Sequence, residues 1–289
     1  MVKQDNAFVK EFPQNLFSGF VVSLVALPLG LGLAIASEAP PLAGIIAAVV
    51  GGLVVSLFGG SHVTIAGPGN GLVIVLLASI STLGEGDLYQ GYLYTLAAII
   101  LSGVLLFVFG LLRMGAMSEF FPATALQGML AAIGLGILAK QFHIMLGIRS
   151  VGGSTLEQLL AIPDSFLTFL AVHPFAGVLG FLSLVFLFLY SRFRNSYFQL
   201  IPAPMWVVVA SVGIGYYYRL VLKQALPIGQ DLLIKIPDNL ISSFPIPLFD
   251  KIFDFNFIGV VFSITLIAVI ESLLSIKAVD KLDPKKRRS

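Results

Sequence analysis

IAGPGNGLVIVLLAS, residues 65–79, interrupts an otherwise apolar chain with glycines, a proline and an asparagine before a short apolar run resumes. The preceding residues 61–66 (SHVTIA) are rich in β-branched side chains and predict an extended segment. Pro68 then lacks a backbone donor, and the glycines allow another group to approach the backbone closely. The stretch therefore predicts a break in regular structure.

The break is followed by the beginning of a short helix, for which Asn70 is a suitable N-cap. A helix that begins at mid-membrane depth points unpaired N–H groups and a partial positive charge at whatever precedes it. Irregular backbone at that depth is tolerated where it is buried or lines a cavity. An anion is the natural occupant. The alternative is a re-entrant loop or a glycine packing contact that binds nothing.

The composition predicts an all-α polytopic membrane protein. The chain is 57% hydrophobic and 11% charged, with a mean hydropathy of +0.98, so it has too little polar surface for a water-soluble globule. Its uncharged runs are apolar on every face, unlike barrel strands, and most reach the about 20 residues that span a bilayer as a helix. The absence of cysteine excludes disulfides and thiolate metal sites. The net charge of +2 predicts no nucleic-acid partner.

The apolar runs predict eight membrane segments, at residues 14–36, 42–59, 70–82, 90–112, 121–146, 173–191, 200–221 and 256–278. Residues 155–172 predict a short amphipathic helix at the membrane surface. With a cytoplasmic N-terminus, eleven basic residues fall on the cytoplasmic side and six on the other, which favours this orientation in a bacterial inner membrane. The N-terminus lacks the pattern of a cleaved signal peptide.

A single carboxylate lies inside the last predicted span. Glu271 follows sixteen uncharged residues, and a charge there is costly unless it faces a cavity, a cation or a proton path. Ser275 lies one helical turn further on the same face. Their oxygens together suit Na⁺, while Glu271 alone could carry a proton. The alternative is that Glu271 extends towards Lys277 or water. Beyond Na⁺ as a coupling ion, no cofactor or metal is predicted.

Two other features carry less information. Pro28 predicts a bend or break in the first span, and Gly30 and Gly32 beside it allow close approach by another helix or a substrate, with simple kinking as the alternative. The three histidines have no metal-ligand spacing and are predicted to be interfacial: His62, His143 and His173. Because no local motif pairs a nucleophile with a base, the sequence does not predict an enzyme.

Three long stretches resemble the sulfate permease (SulP) family of inorganic anion transporters. Residues 21–76 are similar to the first three spans of that family, residues 120–142 to the fifth and residues 267–280 to the eighth. The resemblance implies two inverted seven-segment repeats, of which this chain holds the first repeat and the first helix of the second. The whole chain, 1–289, would be a partial transmembrane domain, homodimeric at full length, without a STAS domain and shortened by truncation or gene splitting.

The resemblance also implies a function and a site. Residues 14–112 and 256–278 would belong to a core that moves against a gate, residues 121–221, in elevator-like secondary active transport of sulfate or bicarbonate coupled to Na⁺ or H⁺. The implied anion-binding residues are Gly67, Gly69, Asn70 and Gly71 at the break, with Pro28 and Leu29 of the first span. The implied coupling residues are Glu271 and Ser275.

This chain departs from the family pattern at two positions. Gly69 follows Pro68 where many members have a hydroxyl residue, and Leu29 follows Pro28 where they often have glutamine. Backbone N–H groups or the Asn70 amide would therefore have to bind the anion. Two alternatives stay open at this point: a nucleobase or organic-anion carrier of the same architecture, and a membrane subunit that does not transport.

Overall fold

A computed structural model describes residues 2–59, 64–112, 123–148, 154–190, 192, 201–228, 232–233 and 244–280, and all regular structure in these ranges is helical. The helices are α1 (Val2–Ala36), α2 (Pro41–Val50), a π-helical turn (Gly51–Val55), α3 (Ser56–Phe58), α4 (Val73–Gly84), α5 (Leu88–Leu111), α6 (Ala123–Met145), α7 (Thr155–Leu160), α8 (Ile162–Val172), α9 (Pro174–Tyr190), α10 (Ala203–Leu220) and α11 (Phe255–Asp280).

The predicted membrane segments all correspond to helical segments, and their ends differ by a few residues except at the first, where α1 begins at Val2 rather than at residue 14. The second is the continuous run of α2, the π-helical turn and α3. Four helical stretches in the described part of the chain are long and apolar enough to cross a membrane: Phe12–Ala36, Pro41–Phe58, Leu88–Leu111 and Phe255–Ile276. The expectation of an all-helical integral membrane protein is therefore confirmed.

The predicted break lies between α3 and α4. Residues 64–69 are not helical, and α4 begins at Val73 and ends at Gly84, so it is much shorter than a full span. The first part of the predicted extended segment, residues 61–63, lies outside the described residues. The chain thus contains a half-length helix preceded by irregular backbone.

A buried hydrophobic cluster joins α4, α5 and α11. It consists of Leu83, Tyr94, Ala97, Ala98, Phe257, Val261 and Ile264. The buried hydroxyls of Ser102 on α5 and Thr265 on α11 are hydrogen-bonded at 3.0 Å. Burying these polar groups is tolerated because each has a partner. This packing fixes where the rest of α11 lies relative to α4.

α1 and α2 meet through glycines, close to the break. A Cβ on Gly44 would collide with the carbonyl oxygen of Gly30, so the two backbones are in direct contact. A Cβ on Gly30 would lie 3.3 Å from the Pro68 ring, and one on Gly51 would lie 3.1 Å from the Cα of Gly67. The irregular stretch is therefore packed against α1 and the α2 segment. α1 itself runs through Pro28, which does not break the span.

The amphipathic segment forms two helices, α7 and α8, rather than the one predicted. The helix restarts at Ile162 because Pro163, in its first turn, cannot donate a backbone hydrogen bond. The prediction of an interfacial His143 is wrong, since this residue is 2% exposed. Its Nε2 donates to the Gln158 carbonyl at 2.9 Å, and its Nδ1 lies 2.7 Å from the Ser165 hydroxyl. His143 therefore fastens both helices to α6.

Candidate functional site

The structure brings together the two features that the sequence singled out separately. The backbone N–H of Gly71 donates a hydrogen bond of 2.9 Å to Oε1 of Glu271, across 200 positions of sequence. The packing of α11 on α4 and α5 carries Glu271 to this point. The side chain is partly buried, and Gly71 is buried. A carboxylate therefore lies at the irregular backbone that precedes α4.

Two glycines make room for that carboxylate. A Cβ on Gly71 would lie 2.9 Å from the carboxyl carbon and 2.9 Å from Oε2 of Glu271. A Cβ on Gly69 would lie 3.0 Å from Oε2. Any side chain at Gly71 would displace the Glu271 head group, because contacts below 3.0 Å between such atoms are repulsive. Gly69 and Gly71 thus form a seat for one carboxylate.

The start of α4 differs in detail from the prediction. Leu72 is the N-cap residue and has no oxygen with which to cap, so the prediction of Asn70 as N-cap is wrong. The Asn70 carbonyl instead accepts from the Val73 N–H at 3.4 Å, which forms a turn ahead of the helix. That turn moves the helix start towards the C-terminus and leaves the Gly71 N–H for Glu271. The negative carboxylate also lies at the positive end of the helix dipole.

The other predicted site residues are more loosely arranged. Gly67 has open space where a Cβ would be, and Asn70 is exposed. Pro28 is partly buried and Leu29 is 41% exposed on α1, whose closest approach to the break is through Gly30. Ser275 is exposed, one turn beyond Glu271 on α11. Sequence analysis had noted Gly30 only as a residue that permits close approach.

A lysine, rather than a carboxylate, lies at the C-terminal end of α4, and the sequence analysis did not predict this contact. The Lys251 ammonium donates to Glu85 at 2.6 Å and to the Leu83 carbonyl at 3.4 Å, and it lies 5.0 Å from the centre of the Tyr94 ring. The hydrogen bond to Glu85 raises the pKa of Lys251 above its ordinary value of 10.5. A cation at the negative end of a helix is stabilising.

The turn that follows α4 explains why Glu85 can reach that lysine. Glu85 adopts a left-handed conformation with φ of 50°, and Gly86 has φ of 110°, which glycine adopts without strain. Asp87 then caps α5 by accepting from the N–H groups of Tyr89 and Gln90 at 2.9 and 3.1 Å. The acidic sequence GEGD thus encodes a helix stop, a chain reversal and a helix start.

A second lysine binds the end of α1 in the same way. Lys140 on α6 donates to Glu38 at 2.6 Å and to the Ala36 carbonyl at 3.4 Å. Glu38, like Glu85, is left-handed, with φ of 59°. No local spacing indicates either pair, because the partners lie 102 and 166 positions apart along the chain.

These contacts limit what the site can do chemically. No group of three or more His, Asp or Glu side chains that could hold a metal ion occurs among the described residues. At the start of α4, a buried backbone N–H binds one anionic oxygen, and Oε2 of the same carboxylate lies beside Gly69. This arrangement suits reversible ion binding.

The chain is similar to proteins of one known family. The model of the sulfate permease family matches residues 12–287. The Bacillus subtilis (strain 168) protein YvdB, which carries the name of a sulfate transporter, is 36% identical over 143 residues, covering 50% of this chain and 26% of that protein. The bicarbonate transporter BicA of Picosynechococcus sp. is 26% identical over 205 residues, covering 70% of this chain and 35% of that protein.

The fold also matches a solved structure. The transmembrane domain of a cyanobacterium bicarbonate transporter BicA superposes with a TM-score of 0.71 and 24% sequence identity, covering 94% of this chain and 66% of that one. At this level of identity the match shows the shared fold. The chain spans about a quarter and about a third of the lengths of the two curated relatives described above.

Proposed function

The chain belongs to the sulfate permease family, a family of transporters and not of enzymes, and we propose that it is the membrane part of a secondary active transporter for a small inorganic anion. Sulfate and bicarbonate are the proposed substrates, because YvdB and BicA carry those names. The proposed coupling ion is Na⁺ or H⁺.

The observation that carries this proposal is the contact between Glu271 and Gly71. Transporters commonly place the N-terminus of a broken helix against an anionic group at the bilayer midplane. Here the break exists, and its backbone N–H already binds an anionic oxygen at 2.9 Å. Gly69, Asn70 and Gly71 are the proposed head of the anion site, with Gly67 beside them and Pro28 and Leu29 on the neighbouring helix.

The proposed coupling follows from linkage between two sites. Glu271, with Ser275 one turn away, would bind Na⁺ or a proton, and a cation that favours the anion-binding conformation must be favoured by the anion in return. The helices of the core would move together, which is supported by the buried cluster joining α4, α5 and α11 and by the backbone contact of α1 with α2. Helices α6 to α10 would form the gate.

Uptake measurements test the proposal. The protein would be reconstituted into proteoliposomes, and entry of radiolabelled sulfate and bicarbonate would be followed with an inward Na⁺ gradient, with an inward proton gradient and with neither. We expect uptake of one anion to exceed that of empty vesicles and to rise with one gradient. Uptake equal to empty vesicles under every condition would favour a membrane subunit that does not transport.

A further inference from the structure

We infer that Glu271 is a built-in competitor of the transported anion: while charged it holds the Gly71 amide and repels the anion, and a proton or a cation that neutralises it weakens that hold so that the substrate can displace it. This inference rests on the proposed transport function and concerns the regulation of the same site. It gives the coupling acid a second task besides binding the cation.

The seat of the carboxylate is the first argument. The Gly71 N–H is a single donor, and Glu271 already accepts from it at 2.9 Å. The Cβ positions of Gly69 and Gly71 fall within 3.0 Å of the carboxylate, so the head group fills the space beside both residues. A substrate oxygen cannot accept a hydrogen bond from the same N–H until Glu271 moves away.

The second argument is the lack of basic side chains around Glu271. Residues 12–37, 64–84, 88–112 and 255–270 contain no Asp, Glu, Lys, Arg or His, so within α4 and α5, the bilayer part of α1 and α11 up to Glu271 there is no basic side chain to offset this charge. On α6, Lys140 pairs with Glu38 and His143 bonds to Ser165 and Gln158. A charged substrate beside a charged Glu271 would therefore be repelled.

The direction in which Glu271→Gln changes the sulfate affinity separates this role from that of a simple cation ligand. If Glu271 only binds the cation that promotes anion binding, Glu271→Gln should bind sulfate no better than the wild type does without a cation. If Glu271 competes with the anion, removing its charge should weaken its hydrogen bond to the Gly71 amide and abolish its repulsion of the anion at every pH. Sulfate affinity in the variant should then exceed that of the wild type.

The experiment measures equilibrium binding of radiolabelled sulfate to the purified protein in nanodiscs, at neutral pH in choline buffer without Na⁺. We expect Glu271→Gln to bind about tenfold more tightly than the wild type, a factor within the usual range of coupling between two sites. Na⁺ should strengthen binding to the wild type and leave the variant unchanged. Glu85→Gln, the same substitution at the other end of α4, is the matched control and should bind like the wild type.

A second measurement uses the wild type alone, so that the test does not depend on the variant folding. Sulfate keeps both charges in the mildly acidic range, where carboxylates begin to take up protons. We expect the sulfate affinity of the wild type to rise as the pH falls. An affinity that stays constant or falls would overturn the competition.

The outcomes separate the inference from the proposed function. If the wild type binds sulfate and a folded Glu271→Gln variant binds it equally or more weakly, the competitor role is overturned and the transport proposal stays intact. If neither protein binds sulfate or bicarbonate, with Na⁺ or in acid, the transport proposal fails and the inference fails with it. Tighter, Na⁺-insensitive binding by the variant supports both.

Discussion

The two ends of α4 are held in opposite ways by the same neighbouring segment of chain. At the N-terminal end, a single backbone N–H donates to a partly buried carboxylate, Glu271. The twelve residues of α4 make the helix about 18 Å long. At its C-terminal end, Lys251 contacts the Leu83 carbonyl, Glu85 and the face of Tyr94. Both charges complement the helix dipole, but only the N-terminal contact depends on one exchangeable bond.

This difference indicates which end is built to change. The C-terminal end has several contacts to Lys251, and its backbone is in direct contact with α5, where a Cβ on Gly91 would collide with the Ile80 carbonyl oxygen. The N-terminal end meets the movable end of a side chain. Losing one contact at the C-terminal end leaves the others in place, whereas neutralising Glu271 weakens the one side-chain hydrogen bond at the N-terminal end.

The largest effect is expected from Gly91→Ala. The new methyl group would meet the Ile80 carbonyl and lie 2.9 Å from the Cα of Gly84, and backbone atoms cannot move aside cheaply. We expect a loss of about 3 kcal/mol, at the upper end of the usual cost of overpacking. Thermal unfolding in detergent would measure it. Gly103→Ala on the same helix, with nothing within 4 Å of the added Cβ, is the matched control, and equal melting temperatures for the two variants would contradict the proposed contact.

A smaller effect is expected from Gly71→Ala at the other end. The new Cβ would meet the Glu271 carboxylate at 2.9 Å, and this side chain can rotate away, so the protein should fold. We expect a loss of about 1 to 2 kcal/mol, the value of one partly exposed hydrogen bond to a charged group. The pH dependence of sulfate affinity should also flatten, because Glu271 no longer holds the amide.

The control for that variant is Gly32→Ala, where an added Cβ has open space. Gly71→Ala and the control would be compared by thermal unfolding and by sulfate binding over a range of pH. A Gly71→Ala protein as unstable as Gly91→Ala would mean that both ends of α4 are equally rigid. The N-terminal end of α4 would then not be the end that changes.

Much of this fold could be predicted because long uncharged runs directly report membrane helices. The break could also be predicted, since glycines and a proline clustered inside an apolar region disfavour a continuous helix. The meeting of Glu271 with Gly71 could be expected only from the family resemblance, because 200 positions separate them and no local spacing encodes the contact. The cap was misassigned because a turn from Asn70 to Val73 precedes the helix.

A third, weaker test concerns the C-terminal end. Lys251→Met keeps the apolar part of the side chain and removes the charge, so we expect a lower melting temperature, with a smaller change than for Gly71→Ala. Because the bond to Glu85 raises the pKa of Lys251, the stabilisation is complete below the ordinary value of 10.5 and is lost as the pH rises through the raised value. The difference in melting temperature between wild type and variant should therefore persist at neutral pH and vanish only in strong alkali.

The smallest effect is expected from Lys140→Met, which tests whether a lysine at a helix end has the same small value elsewhere in the molecule. Lys140 binds Glu38 and the Ala36 carbonyl, and the side chains of Lys140 and Glu38 are 21% and 40% exposed. We expect a loss of about 0.5 kcal/mol, typical of a solvent-screened ion pair. Thermal unfolding beside Lys251→Met would measure it. A loss as large as that of Gly71→Ala would mean that the contacts of Lys140 with Glu38 and the Ala36 carbonyl stabilise the protein as much as the Gly71–Glu271 hydrogen bond does. The N-terminal end of α4 would then not differ in stability from other helix ends.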